Sequence, residues 1–124
     1  MKNILYLSIL ALVVILSACG MNNGGYHNIT SKEAKELIDN QKVVILDVRT
    51  PEEFQEGHIP DATLLPLQEL EARMNELEKD ETYLVVCRSG NRSSQASDML
   101  AKNGFTNIYN ITEGMNNWLY EIEQ

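Results

Sequence analysis

Short apolar runs that alternate with helix-patterned stretches predict an α/β domain built on a mainly parallel sheet. Two further observations agree. A length of 124 residues suits one domain. A composition 44% hydrophobic and 23% charged is that of a folded chain, which sets aside disordered and collagen-like classes.

Taken in order, Tyr26–Ile29 reads as a first strand. Thr30 with Glu33 three residues on forms a capping box, and Ala34, Leu37 and Ile38 make the apolar stripe of the helix it opens. Val43–Val48 is the strongest strand, β-branched and apolar until Asp47. Pro51–Phe54 suits one helical turn, since proline is tolerated at the first helical position. Gly57–Ala62 is a loop, and Thr63–Leu65 a short strand ended by Pro66. Gln68–Leu77 is predicted helical, with Leu70, Met74 and Leu77 on one face and acids opposite. Tyr83–Val86 is a buried strand by composition, and Ser93–Lys102 a helix with Ala96, Met99 and Leu100 inward, stopped by Asn103-Gly104. Ile108–Asn110 is a last strand, which brings the sheet to about five. Met115, Trp118, Leu119 and Ile122 are spaced as a terminal amphipathic helix.

The N-terminus has a different character. Lys2 is followed by an apolar run, Ile4 to Leu16, broken only by Ser8. Spanning a bilayer takes about 20 apolar residues, so this run has the length of a signal-peptide core. Leu16-Ser17-Ala18-Cys19 resembles the lipobox of bacterial lipoproteins, in which the cysteine is diacylated and becomes the mature N-terminus. The alternatives are an uncleaved N-terminal anchor or a cysteine lying near a cleavage site by chance. The lipoprotein reading divides the chain into a signal peptide over 1–18, a lipidated Cys19 with a flexible tether over 19–25, and a domain over 26–124. It implies membrane attachment through the lipid and a place in the bacterial cell envelope, on the outer face of the cytoplasmic membrane or in the periplasm.

The charge is acidic: 10 Lys+Arg against 18 Asp+Glu give −8, and loss of residues 1–18 would leave −9. That balance argues against a nucleic-acid partner, which calls for a basic face. Cys19 and Cys87 are too few for a disulfide scaffold and lack metal-ligand spacing, so no metal site is expected. With Cys19 lipidated, Cys87 is the one free thiol, and its neighbours decide between a small buried hydrophobe and a reactive group.

Those neighbours are Val85-Val86-Cys87-Arg88-Ser89-Gly90-Asn91-Arg92-Ser93. An apolar strand ends at the cysteine, a polar loop follows, and a helix begins. Sites in open α/β sheets form beyond the carboxyl ends of strands. A helix N-terminus offers partial positive charge and free N–H groups, and a glycine lets a loop curl into an anion-binding nest. With Arg88 and Arg92 added, these features favour thiolate and predict a depressed Cys87 pKa.

This segment resembles the active loop of rhodanese-like sulfurtransferases, in which a cysteine opens a six-residue loop and carries a persulfide. Asp47-Val48-Arg49, Glu53-Phe54 and Gly57-His58-Ile59 look like that family's N-terminal signature, and Gly114-Met115-Asn116-Asn117-Trp118 resembles its C-terminal element. The resemblance runs over residues 26 to 122. It implies a three-layer α/β/α domain around a mainly parallel sheet. Two positions depart from the pattern: Asp61 stands where glycine is usual, and Glu113 replaces the first of a common glycine pair.

The resemblance further implies that the Cys87 thiolate takes sulfane sulfur from a small anionic donor such as thiosulfate. It then passes that sulfur to a thiophilic acceptor, namely cyanide, a thiol or a protein persulfide acceptor, without cofactor or metal. The N–H groups of Arg88, Ser89, Gly90, Asn91 and Arg92 would hold the anionic sulfur, and Arg88 and Arg92 would help dock the donor. Asp47 and Arg49 are expected to brace loops through buried hydrogen bonds, and His58 to make a structural one. The alternative is a low-turnover persulfide carrier or binding module on the same fold. Cysteine phosphatases and arsenate reductases share the fold, but they place five residues between cysteine and arginine. Here Arg92 leaves four, and Ser93 occupies the arginine's place.

Overall fold

The structure, a computed structural model, describes residues 25–124; the expected signal peptide, Cys19 and most of the expected tether fall on residues 1–24, outside the described residues. Strands β1 (His27–Ile29), β2 (Val44–Asp47), β3 (Thr63–Leu64), β4 (Thr82–Val86) and β5 (Asn107–Ile111) alternate with four helices. These are α1 (Ser31–Asn40), α2 (Pro51–Glu56), α3 (Leu67–Arg73) and α4 (Asn91–Lys102). The strands form one sheet in the order β1-β5-β4-β2-β3, every pairing parallel.

Alternation along β4 builds a core on each face of the sheet. Tyr83, Val85 and Cys87 join Leu70 of α3 and Ala96 and Leu100 of α4 on one side. Leu84 and Val86 join Ala34 of α1, Ile45 and Ile59 on the other, with Met115 and Trp118 packed against them. This is the three-layer α/β/α arrangement. Each large apolar side chain taken out of water contributes about 1.5–3 kcal/mol, which holds both helical layers to the sheet. The strand between β5 and β2 is therefore buried on both faces, and its carboxyl end delivers Cys87 directly from Val86.

The helix starts follow local sequence. Thr30 caps α1 in a reciprocal box with Glu33, as its spacing predicts. Thr50 does the same for α2 with Glu53, and Pro51 stands at its start. Both boxes satisfy N–H groups that a helix leaves unpaired.

Three expectations change. The stretch expected as one helix over Gln68–Leu77 is α3 followed by a 3₁₀ turn at Met74–Glu76, where Leu77 N–H turns back to Met74 C=O as the chain bends toward β4. Helix α4 begins two residues before Ser93, at Asn91, with Gly90 as its cap residue. The terminal amphipathic helix does not form. Only Met115–Asn117 makes a 3₁₀ turn, and Leu119 and Ile122 are 82% and 53% exposed. The main chain of the tail is drawn elsewhere: His58 N–H donates to Glu123 C=O at 2.9 Å and Glu123 N–H to His58 C=O at 2.8 Å.

The two departures from the resembled pattern also find places. Asp61 adopts φ +67°, a conformation that glycine takes freely and aspartate tolerates better than most residues. The Glu113 carboxylate accepts from Ser31 N–H at 2.8 Å and from the Asn117 side-chain amide, joining the start of α1 to the turn after β5.

Candidate active site

The β4–α4 loop turns back so that the amide of Gly90 points at the Cys87 sulfur, 3.1 Å away. The N–H of Ser93, in the first turn of α4, reaches the same sulfur at 3.3 Å. Gly90 supplies no side-chain cap, so the sulfur occupies the place an N-cap oxygen would take. Gly90 has φ +94°, and a Cβ there would fall 2.2 Å from Thr112 C=O, so the turn requires glycine.

The Ser93 hydroxyl is fully buried and lies 3.4 Å from the sulfur, accepting from the thiol and free to donate to the thiolate. Burial raises the Cys87 pKa. The Ser93 hydroxyl and the N–H groups of Ser93, Ser89 and Gly90 outweigh it, and the thiol sits below its ordinary value.

The rear of the loop is held by main chain. Met115 N–H donates to Cys87 C=O at 2.8 Å and Asn116 N–H to Arg88 C=O at 2.9 Å. Gly114 makes this approach possible. A Cβ on it would lie 2.4 Å from Arg88 C=O, and its φ of +63° and ψ of −165° are a glycine conformation.

The arginines stand differently from the sequence expectation. The Arg92 guanidinium grips both oxygens of Glu53, at 2.7 and 2.9 Å, and Arg88 Nε donates to Glu53 Oε2 at 3.1 Å. The two guanidiniums share one carboxylate, and while Arg92 still faces Cys87 electrostatically, hydrogen bonds from Ser93, Ser89 and Gly90 are what chiefly hold the thiol pKa down. The Arg92 fork and the Thr50 cap hold the Glu53 carboxyl far below the usual carboxylate range, against the opposing effect of burial.

The remaining candidate residues lie around this centre. The Asn91 side chain accepts from Gln95 Nε2. Arg49 makes a buried two-point pair with Asp47, Nη2 to Oδ2 at 2.7 Å and Nε to Oδ1 at 2.9 Å, and donates to Gly57 C=O at 2.8 Å. The His58 ring stacks on Phe54 with centroids 3.7 Å apart, and its Nδ1 lies 2.8 Å from Phe54 C=O. Its Nε2 is 3.6 Å from Glu123. A cleft of about 490 Å³, lined by Thr50, Pro51, Glu52, Pro66 and Glu69 among others, meets the loop at Arg92. Among the described residues no cluster of His, Cys, Asp or Glu could hold a metal ion.

Two residues of the site were not among those expected to form it. Ser93 was noted only as opening a helix and as standing where a phosphatase would place its arginine. Glu53 stood in the resembled N-terminal signature and also carried the Thr-x-x-Glu spacing from Thr50 that was read at Thr30.

A family model described as Rhodanese-like domain matches residues 30–121. The thiosulfate sulfurtransferase GlpE of Pseudoalteromonas translucida is 33% identical over 93 residues, which cover 75% of this chain and 89% of that relative. The crystal structure of a rhodanese-like domain protein from Staphylococcus aureus superposes with a TM-score of 0.72 at 37% identity, over 78% of this chain and 96% of that one. YrkF of Bacillus subtilis is 34% identical over 113 residues, 83% of this chain, and the chain spans 61% of its length.

Proposed function

The chain belongs to the rhodanese-like domain family, and from that premise we propose that it is a sulfurtransferase working through a persulfide on Cys87. The observation that carries this reading is the convergence of the Gly90 and Ser93 N–H groups on one buried sulfur at the start of α4. Preorganised donors of this kind stabilise charge as it develops and need no reorganisation during the reaction.

In the first half-reaction the Cys87 thiolate attacks the outer sulfur of a donor such as thiosulfate. The bond between the two donor sulfurs breaks, sulfite leaves with its electron pair, and Cys87 holds a persulfide anion. The amides of Ser89, Gly90 and Ser93 face that negative charge, the Asn91 and Arg92 positions shape the turn, and Arg88 and Arg92 are fixed against Glu53. In the second half-reaction a thiol or cyanide attacks the terminal sulfur, the S–S bond breaks, and the Cys87 thiolate returns. This is covalent nucleophilic catalysis and gives ping-pong kinetics.

Intact-mass measurement of the full chain after thiosulfate treatment and desalting tests the proposal. Gain of one sulfur atom in the wild type and none in Cys87→Ser is expected, with loss of that sulfur as thiocyanate when cyanide is added. No adduct on the folded protein would reject thiosulfate as donor.

Export as a lipoprotein through Cys19 is part of the same proposal, since a tethered domain outside the membrane meets extracytoplasmic sulfur donors. Radiolabelled palmitate incorporated by the wild type and absent from Cys19→Ala is the expected result.

A further inference from the structure

We propose that Glu53 is a specificity-determining residue of the Cys87 loop: paired to both Arg88 and Arg92, it cancels one of their two positive charges at the approach to the sulfur and shifts the preference from dianionic donors toward donors of lower charge. This rests on the sulfurtransferase reading and names the donor class, organic persulfides and thiosulfonates of zero or one negative charge.

The geometry supports a fixed filter. Arg92 binds Glu53 through two parallel N–H···O bonds, and Arg88 adds a third contact to Oε2. Such forks are geometrically specific as well as strong. From the other side, Thr50 holds Oε1 through its N–H at 3.3 Å and its hydroxyl at 3.1 Å. The carboxylate is therefore held at both ends, with its side chain only 14% exposed.

The surroundings do not restore a cationic funnel. The adjacent cleft is lined by two arginines, Arg49 and Arg92, and each is already in a carboxylate pair, with Asp47 and with Glu53. The same cleft carries Glu52 and Glu69, of which Glu69 is paired with Arg73. A chain of net charge −8 adds a repelling background field. With one of the two arginine charges cancelled, amide dipoles and a single residual positive charge face the sulfur, which suits one negative charge better than two.

The test compares reagents that differ in charge and little in size. In the full chain, alkylation of Cys87 by anionic iodoacetate and by neutral iodoacetamide is quantified on the Cys87 peptide. Removing one negative charge several ångströms from the sulfur should raise the iodoacetate:iodoacetamide rate ratio roughly three- to sixfold in Glu53→Gln. Glu53→Asp, which keeps the charge, should hold the ratio near the wild-type value. Arg88→Gln, made at an exposed side chain, should move the ratio the opposite way, and it carries the test should Glu53→Gln fail to fold. If Glu53 is only a brace, both reagents change by one common factor, the ratio stays put, and the proposal is overturned. The donor arm compares kcat/KM for thiosulfate, a dianion, with that for methanethiosulfonate, a monoanion. Glu53→Gln should shift this ratio toward thiosulfate by a similar factor, and an unchanged ratio would overturn the donor preference. No transfer from either donor by the wild type, with the alkylation ratio still moving, would overturn the sulfurtransferase reading and the donor preference with it.

Discussion

Ser93 sets both its backbone N–H and its hydroxyl against the sulfur of Cys87, at 3.3 and 3.4 Å. The hydroxyl is fully buried, and the sulfur is its hydrogen-bond partner. Hydrogen bonds to a charged group are worth about 1.5–3 kcal/mol, and a pKa unit is about 1.4 kcal/mol. Ser93→Ala should therefore raise the Cys87 pKa by roughly one unit. The pH dependence of iodoacetamide alkylation reads this directly. An unshifted titration would show that the amides alone hold the thiolate.

The same depressed pKa makes stability depend on pH. In the folded protein the thiol lies below its ordinary 9.0, while the unfolded chain returns it there. Between the two values the unfolded state binds more protons, so unfolding becomes costlier as pH rises. The contribution is fully present above the unfolded pKa and is lost as pH falls through the folded one. The stability difference between wild type and Cys87→Ala, from urea titrations at pH 6 to 9, should move in favour of the wild type with increasing pH. A flat difference would mean that the native environment does not favour the thiolate.

Gly114 bears on the loop from behind. A Cβ there would lie within 2.4 Å of Arg88 C=O and 2.7 Å of Cys87 C=O, in a backbone region that glycine alone occupies readily. Gly114→Ala should cost about 2–4 kcal/mol in urea unfolding and slow Cys87 alkylation, because the loop must move to admit the methyl group. Gly104→Ala provides the comparison: φ is also positive, at +91°, but the nearest neighbour of the added Cβ is the flexible end of Lys79 at 3.5 Å. It should destabilise less and leave alkylation alone.

The strands and the starts of α1 and α2 were legible because their signals are local. Val44–Asp47 and Tyr83–Val86 are recognisable from branched and aromatic residues, and α1 from the Thr30–Glu33 box. The cysteine loop was legible for the same reason, since strand end, glycine and helix start fall within seven consecutive residues. The partner of its arginines was not. Glu53 lies 35 and 39 residues before Arg88 and Arg92, and only the parallel pairing of β2 with β4 brings the two loops side by side. The terminal helix failed for a related cause. The spacing of Met115, Trp118, Leu119 and Ile122 suits a helix, but the backbone of the tail pairs with His58, a residue remote in sequence. Helical periodicity over so short a segment loses to a tertiary hydrogen-bond partner.

Asp47 and Arg49 offer the sharpest test of what the second loop contributes. Asp47 is fully buried and its carboxylate is held by the Arg49 guanidinium and by Arg49 N–H at 3.1 Å, while the guanidinium also reaches Gly57 C=O. Arg49 thus ties the end of β2 to the turn that begins the His58 segment. Arg49→Met keeps most of the side-chain volume but strands a buried carboxylate, a loss of about 3–5 kcal/mol. Asp47→Asn strands a buried guanidinium instead and should also destabilise strongly. The double variant Asp47→Asn with Arg49→Met removes both charges, and its cost should fall well short of the sum of the single substitutions, since neither charge is left unpaired. Urea unfolding of the three variants measures this coupling. Additive costs would mean that the two side chains act independently, with the contact to Gly57 as the main contribution of Arg49.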